Sequence, residues 1–259
     1  MRLDRFLSEQ TALSRKEAQA AIRKGQVCVD DVTVKKSDEN ITPETANITL
    51  CGKPIVFQQN HYFLMHKPEG VITATEDSTQ KTVLDLLRPD DRLPKLAPCG
   101  RLDIDTTGLL LITDDGQLAH RMLSPKHHVT KYYLAMLRDP LSPDVPAKFE
   151  QGISIREGSG ETLCLPAQCA EIEPRLAVVG LHEGKYHQVK RMFAAAGNHV
   201  EKLLRFQIGD LLLPTDLPVG SYLVISAKEA EKMLTNSTFS SVCAICATHY
   251  SSYWINKSL

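Results

Sequence analysis

Cys99-Gly100-Arg101-Leu102-Asp103-Ile104-Asp105-Thr106-Thr107-Gly108 runs directly into Leu109-Leu110-Leu111-Ile112-Thr113. The apolar run has the length of a buried strand and is closed by the turn residues Asp114-Asp115-Gly116. Ahead of it lies a polar loop with a glycine at either end, holding Arg101 and Asp103 two residues apart. Polar loops mounted on rigid strands are where reactive side chains concentrate. On local chemistry alone, however, Asp103 could equally cap the loop and Arg101 could be solvated.

The chain around this stretch has 259 residues, 42% hydrophobic and 24% charged, with a formal net charge of −1. That is room for one large domain plus a small one, with the composition of a water-soluble globular chain. No apolar run is long enough to span a bilayer. The start, Met1-Arg2-Leu3-Asp4-Arg5-Phe6, lacks the apolar segment of a secretory signal. Seven scattered cysteines suggest reduced thiols and a cytoplasmic location rather than a disulfide framework. Near-neutral net charge hides two basic stretches: bases outnumber acids eight to five over residues 1–36, and five to two over residues 181–205. Such patches on a neutral protein can hold a polyanion.

Working outward toward the N-terminus, Ser14-Arg15-Lys16-Glu17 has the form of a capping box. The helix that it opens buries Ala18, Ala21 and Ile22, exposes Arg15, Lys16, Arg23 and Lys24, and ends at Gly25. Residues 2–10 suit a first short helix, and Val27–Val34 a hairpin about Asp30-Asp31. Two small helices, a hairpin and a basic second helix resemble the S4 RNA-binding domain. Residues 1–52 are assigned to it, and 53–60 to a linker.

Toward the C-terminus, Thr130–Leu137 alternates as a strand that puts Lys131 and Tyr133 on one face. Leu176–Leu181 is another buried strand. It leads into Glu183-Gly184-Lys185-Tyr186-His187-Gln188-Val189-Lys190-Arg191-Met192-Phe193, which reads as helical from Tyr186. Residues 235–259 change character, becoming rich in Ser, Thr and Tyr, and are expected to form a tail outside the core. Cys243-Ala244-Ile245-Cys246 with His249 is too sparse a donor set to imply a zinc site.

Three of these stretches together resemble the signatures of the pseudouridine synthases: Gly100-Arg101-Leu102-Asp103 with Thr106-Thr107-Gly108, Lys131-x-Tyr133, and Leu181 with Glu183–Met192. Their wording, and the S4-like module ahead of them, are similar to the RsuA branch. The resemblance covers Met1 to about Leu234. It implies an α+β protein: the S4-like domain, then a catalytic domain over 61–234 built on a largely antiparallel mixed sheet with flanking helices. It also implies conversion of a uridine in ribosomal RNA to pseudouridine, without metal or organic cofactor.

By the same resemblance Asp103 is the catalytic carboxylate, attacking C1′ or removing a ribose proton. Lys190 pairs with it, and Tyr133 faces the uracil. Leu181 packs on the base, Arg101 fills the place of an extruded uridine, and His187 and Arg191 contact substrate. Arg15, Lys16, Arg23 and Lys24 contact RNA phosphates. The wording is nearer to enzymes acting on 16S RNA than on 23S RNA. The implied partner is therefore 16S rRNA or a small-subunit assembly intermediate, met by a monomer without a membrane. Two other classes stay open, a non-catalytic ribosome-binding protein and a hydrolase using Asp103 with Asp105. Intact Asp103, Tyr133 and Lys190 speak against the first. The second lacks another fixed acid.

Overall fold

A computed structural model describes residues 1–158 and 160–254. The N-terminal module opens with helices α1 (Leu3–Gln10) and α2 (Arg15–Arg23). The capping box forms as its residues require: the Ser14 hydroxyl accepts from the Glu17 amide, and the Glu17 carboxylate accepts from the Ser14 amide. Both helices pack Leu3, Phe6, Leu7, Ala18 and Ile22 onto a four-stranded sheet. Its strands are β1 (Val27–Val29), β2 (Val32–Thr33), β3 (Ile48–Leu50) and β4 (Lys53–Ile55), in the order β2-β1-β3-β4.

The start of the assigned linker is therefore corrected. Lys53–Ile55 pairs antiparallel with β3 despite Pro54, which is tolerated because β4 is the edge strand. Phe57 just beyond it packs back on this core, 6.3 Å from the Phe6 ring.

The larger domain is built on nine strands. In chain order these are β5 (Tyr62–Lys67), β6 (Ala97–Cys99) and β7 (Thr106–Thr113), followed by helix α3 (Gly116–Leu123) and β8 (Lys131–Leu137). After helix α4 (Val145–Gln151), β9 (Ser154–Glu157) and β10 (Gly160–Leu163) form a separate hairpin. The sheet resumes with β11 (Gln168–Glu173) and β12 (Leu176–Leu181). Helix α5 (Gln188–Ala195), β13 (Val200–Ile208), β14 (Leu211–Leu212), β15 (Tyr222–Val224), and helices α6 (Ala227–Ala230) and α7 (Phe239–His249) complete the chain.

The sheet order is β11-β12-β8-β13-β7-β5-β15, with β14 on β13 and β6 on β7. Only β7 and β13 run parallel among its described pairs; the rest are antiparallel. Every residue of the interior strand β7 is buried, which is why its run Leu109–Ile112 is continuously apolar rather than alternating. Leu109 and Leu111 join the core on one side of the sheet, Leu110 and Ile112 the core on the other. Gly108 permits the close approach to β13: a Cβ there would lie 2.2 Å from the Arg205 carbonyl oxygen, and its φ is +116°.

Residues 235–254 overturn the expectation of a tail outside the core. Helix α7 lies on the sheet face that carries Leu109, Tyr132 and Phe206, and buries Val242 and Cys246 there. Tyr250 and Trp254 follow into the same core, and the Tyr250 hydroxyl donates to the Leu213 carbonyl. Residues 255–259 of the expected tail lie outside the described residues. No described helix is long and apolar enough to cross a membrane.

Candidate active site

The loop 100–105 leaves β6 and enters β7, and it is held from beneath by a buried lysine. Lys67, at the end of β5, is fully buried. Its Nζ donates to the carbonyls of Pro68 (2.9 Å), Asp103 (3.0 Å), Ile104 (3.4 Å) and Thr106 (3.1 Å). Burial pushes its pKa down to about 8, with the carboxylates of Asp103 and Asp105 working in the opposite sense. The Thr73 hydroxyl adds a second tie, donating to the Leu102 carbonyl at 2.8 Å, and the Gly70 amide a third to Ile104. Three carbonyls of this segment, those of Asp103, Ile104 and Thr106, share one ammonium, which leaves the loop little freedom, and Asp103 stands on it.

Opposite this loop, the segment after β12 is equally constrained. Glu183 accepts from Lys185 Nζ (2.8 Å), Gln188 Nε2 (2.6 Å) and the Leu165 amide (2.9 Å). His187 has φ +51°, a left-handed conformation that costs a non-glycine residue about 1 kcal/mol or more. Helix α5 therefore begins at Gln188, two residues later than the expected start at Tyr186. The kink turns the His187 ring toward the loop, with Nε2 at 3.6 Å from Asp103 Oδ1.

Between the two segments lies a cavity of about 420 Å³, a size suited to a single small ligand or nucleotide. Tyr133, Leu181, Val189 and Leu203 form its apolar wall, and Arg101, Asp103, Lys185 and His187 line it with polar groups. Leu181 is buried, whereas Arg101 is exposed. Of the predicted site residues, Asp103, Tyr133, Leu181, Arg101 and His187 thus share one cavity.

Lys190 differs in its pairing. Its ammonium hydrogen-bonds to Asp105 and stands 3.9 Å from Asp103, so it bridges two carboxylates instead of serving one. Burial is the largest single influence on Asp105 and acts to raise its pKa, but the hydrogen bond and the charge of Lys190, with smaller help from the backbone and His187, together outweigh it and hold that carboxyl below its usual range. Arg191 does not line the cavity. It borders a second hollow against the β9–β10 hairpin, with Arg156 and Glu161, and lies over the Tyr186 ring.

In the N-terminal module Arg15, Lys16, Arg23 and Lys24 are exposed on α2, opposite its buried face. Arg15 is not free, however: its Nη2 lies 3.3 Å from the buried carboxylate of Asp4. The basic stretch 181–205 also shrinks, because Arg205 is buried and donates to the Leu109 carbonyl, and Lys185 is paired with Glu183.

Sequence reasoning missed Lys67, Asp105 as the partner of Lys190, and the Glu183–Gln188 brace. One signal was present for Lys67, a lone charge closing the otherwise apolar strand Tyr62-Phe63-Leu64-Met65-His66.

The profile of the RNA pseudouridylate synthase family matches residues 61–195, and that of the S4 domain residues 1–46. The chain is 45% identical to the ribosomal small subunit pseudouridine synthase A of Vibrio cholerae, over 88% of this chain and 97% of that protein. Against the Escherichia coli (strain K12) protein of the same name the identity is 41%, over 88% and 98%. A crystal structure of a pseudouridylate synthase superposes with a TM-score of 0.63 at 37% identity, covering 90% of this chain and 99% of that one. The chain belongs to the RNA pseudouridine synthase family, with an S4 domain ahead of its catalytic domain, and it is a pseudouridine synthase.

Proposed function

We propose that the chain isomerises one uridine of 16S rRNA to pseudouridine in the cytoplasm, acting as a monomer, with Asp103 as the catalytic carboxylate. The reaction breaks the N1–C1′ bond, turns the uracil, joins C5 to C1′, and moves the C5 proton out as N1 gains one. It needs a carboxylate aimed at the ribose and a slot in which a flat base can turn. The observation that carries the reading is Asp103 on a braced loop facing Tyr133 and Leu181 across a nucleotide-sized cavity. Tyr133 offers its ring to the base, and Leu181 packs beside it. Lys190, shared with Asp105, balances and orients the carboxylate. A uridine within structured RNA must leave its stack to enter, and Arg101 at the cavity wall is sited to take the vacated place. The exposed bases of α2 bind phosphates. The small-subunit target is carried over from the names of the Vibrio and Escherichia relatives.

Asp103→Asn keeps the shape of the side chain and removes its charge. It is expected to abolish turnover while RNA binding stays within a few-fold of wild type. Retained turnover in this variant, measured as pseudouridine formed per enzyme, removes Asp103 from the chemistry.

A further inference from the structure

Tyr253 stands behind the catalytic loop, on the opposite face of the sheet from the cavity, and no step above uses it. Successive residues of a strand face opposite sides, and β5 and β7 show this beside the loop. On β5, Lys67 turns to the loop that it braces, whereas His66 turns to the face where Leu64 meets the C-terminal segment. On β7, Thr106 lines the cavity, whereas Thr107 faces back toward Tyr253. His66 is buried. Its Nδ1 lies 2.9 Å from the Leu217 carbonyl, which can only accept, so Nδ1 carries a proton. Nε2 of the neutral ring accepts from the Tyr253 hydroxyl at 2.7 Å. Tyr253 is itself held by Trp254, whose buried ring meets it edge on at 5.4 Å.

We propose that Tyr253 is a positioning residue for the catalytic loop, fixing from behind the strand ends that carry Lys67 and Thr106. The inference rests on the reading of Asp103 as the catalytic carboxylate. Lys67 follows His66 in the chain, and the two pair with Gly108 and Leu109 of β7. A displacement of the end of β5 that drew the Lys67 ammonium away from the Asp103 and Thr106 carbonyls would move His66 as well. It would break the bonds of His66 to Leu217 and Tyr253, and a buried polar group that loses its partners is costly. The C-terminal segment therefore does more than cover the core: it limits where the Asp103 carboxylate can stand.

The test uses the full-length chain and an RNA that the wild type converts. Tyr253→Phe keeps the ring and removes the hydroxyl bond to His66. His66→Asn keeps an amide donor for the Leu217 carbonyl and removes the acceptor for Tyr253. Each is expected to lower the single-turnover rate at saturating RNA about three- to tenfold, the scale of one hydrogen bond, with affinity within about twofold of wild type. The double variant should be no slower than the slower single one, because both changes remove the same bond. Hydrogen exchange over residues 100–108, which include the Thr106 amide bonded to the Asp103 carbonyl, should quicken in both variants and stay unchanged in the S4 domain. Tyr250→Phe is the control. It removes another hydroxyl bond of the same segment, to Leu213, and should lower stability without slowing the reaction or loosening the loop. A wild-type rate or wild-type loop exchange in Tyr253→Phe, or equal slowing in Tyr250→Phe, overturns the proposal while leaving the function intact. If His66→Asn folds poorly, Tyr253→Phe and its control decide alone. Turnover retained by Asp103→Asn defeats the reading of the site, and the catalytic purpose of the contact with it.

Discussion

Lys67 shows how far a single buried residue reaches toward a site it does not line. Its ammonium ties the carbonyls of Asp103, Ile104 and Thr106 to the end of β5, so the position of the Asp103 carboxylate depends on it. Lys67→Met strands those carbonyls in a dry interior. It is expected to cost about 3 kcal/mol of stability and to lower the single-turnover rate more than RNA affinity. Chemical denaturation and rapid-quench kinetics read the two effects. The pH dependence of the same group has a defined sign. Its folded pKa, about 8, lies below the 10.5 of the free side chain, so the native state gives up the proton first. The charged form is penalised fully below pH 8, and the penalty is relieved as pH rises from 8 to 10.5. The stability advantage of wild type over Lys67→Met is therefore expected to widen across that window, and a narrowing would contradict the assignment.

Among the elements, α2 and α7 were unequally legible. The boundaries of α2 were written in the chain, because Ser14, Glu17 and Gly25 act on backbone groups one turn away. Its attachment was not. Asp4 on α1 accepts from Arg2, Gln19 and Arg15, and these bonds outweigh burial to hold its carboxyl far below the ordinary range. That stabilisation is complete above the unfolded pKa near 4 and is lost as pH falls toward the folded value. Asp4→Asn should cost about 2 kcal/mol at neutral pH and flatten the acid side of the stability profile of the S4 domain.

Helix α7 gave a weak signal because only Val242 and Cys246 are buried along it, and Phe-Ser-Ser-Val-Cys-Ala-Ile-Cys carries no charge to mark an outer face. The larger anchors, Tyr250 and Trp254, come after the helix ends, where periodicity says nothing. Tyr250→Ala is expected to destabilise the catalytic domain by about 3–5 kcal/mol in thermal or denaturant unfolding. Loss under 1 kcal/mol would return this segment to the status of a tail. The pairing of Lys190 with Asp105 was likewise hidden, since the two residues are 85 positions apart in sequence and meet only through tertiary contacts such as the parallel pairing of β7 with β13.

Over the whole molecule, two modules divide the work. The S4 domain carries the exposed bases of α2, and the catalytic domain carries the cavity; Glu9 of α1 meets Lys95 of the catalytic domain at 3.2 Å. If Lys16, Arg23 and Lys24 each neutralise a phosphate, each contributes about 0.7–0.9 to the slope of log affinity against log salt. Charge-removing substitutions at all three should flatten that slope by about two to three, and an unchanged slope would make the module structural. The central claim is that a uridine of 16S RNA is converted and that Asp103 does it, and release of tritium from RNA labelled at uracil C5 reads this directly, because the C5 proton leaves only when C5 is joined to C1′. The wild-type chain is expected to release tritium from 16S RNA, free or in assembling small subunits, up to one equivalent, with none from 23S RNA. Release from 23S RNA alone, or from 16S RNA by Asp103→Asn as fast as by wild type, would contradict the account.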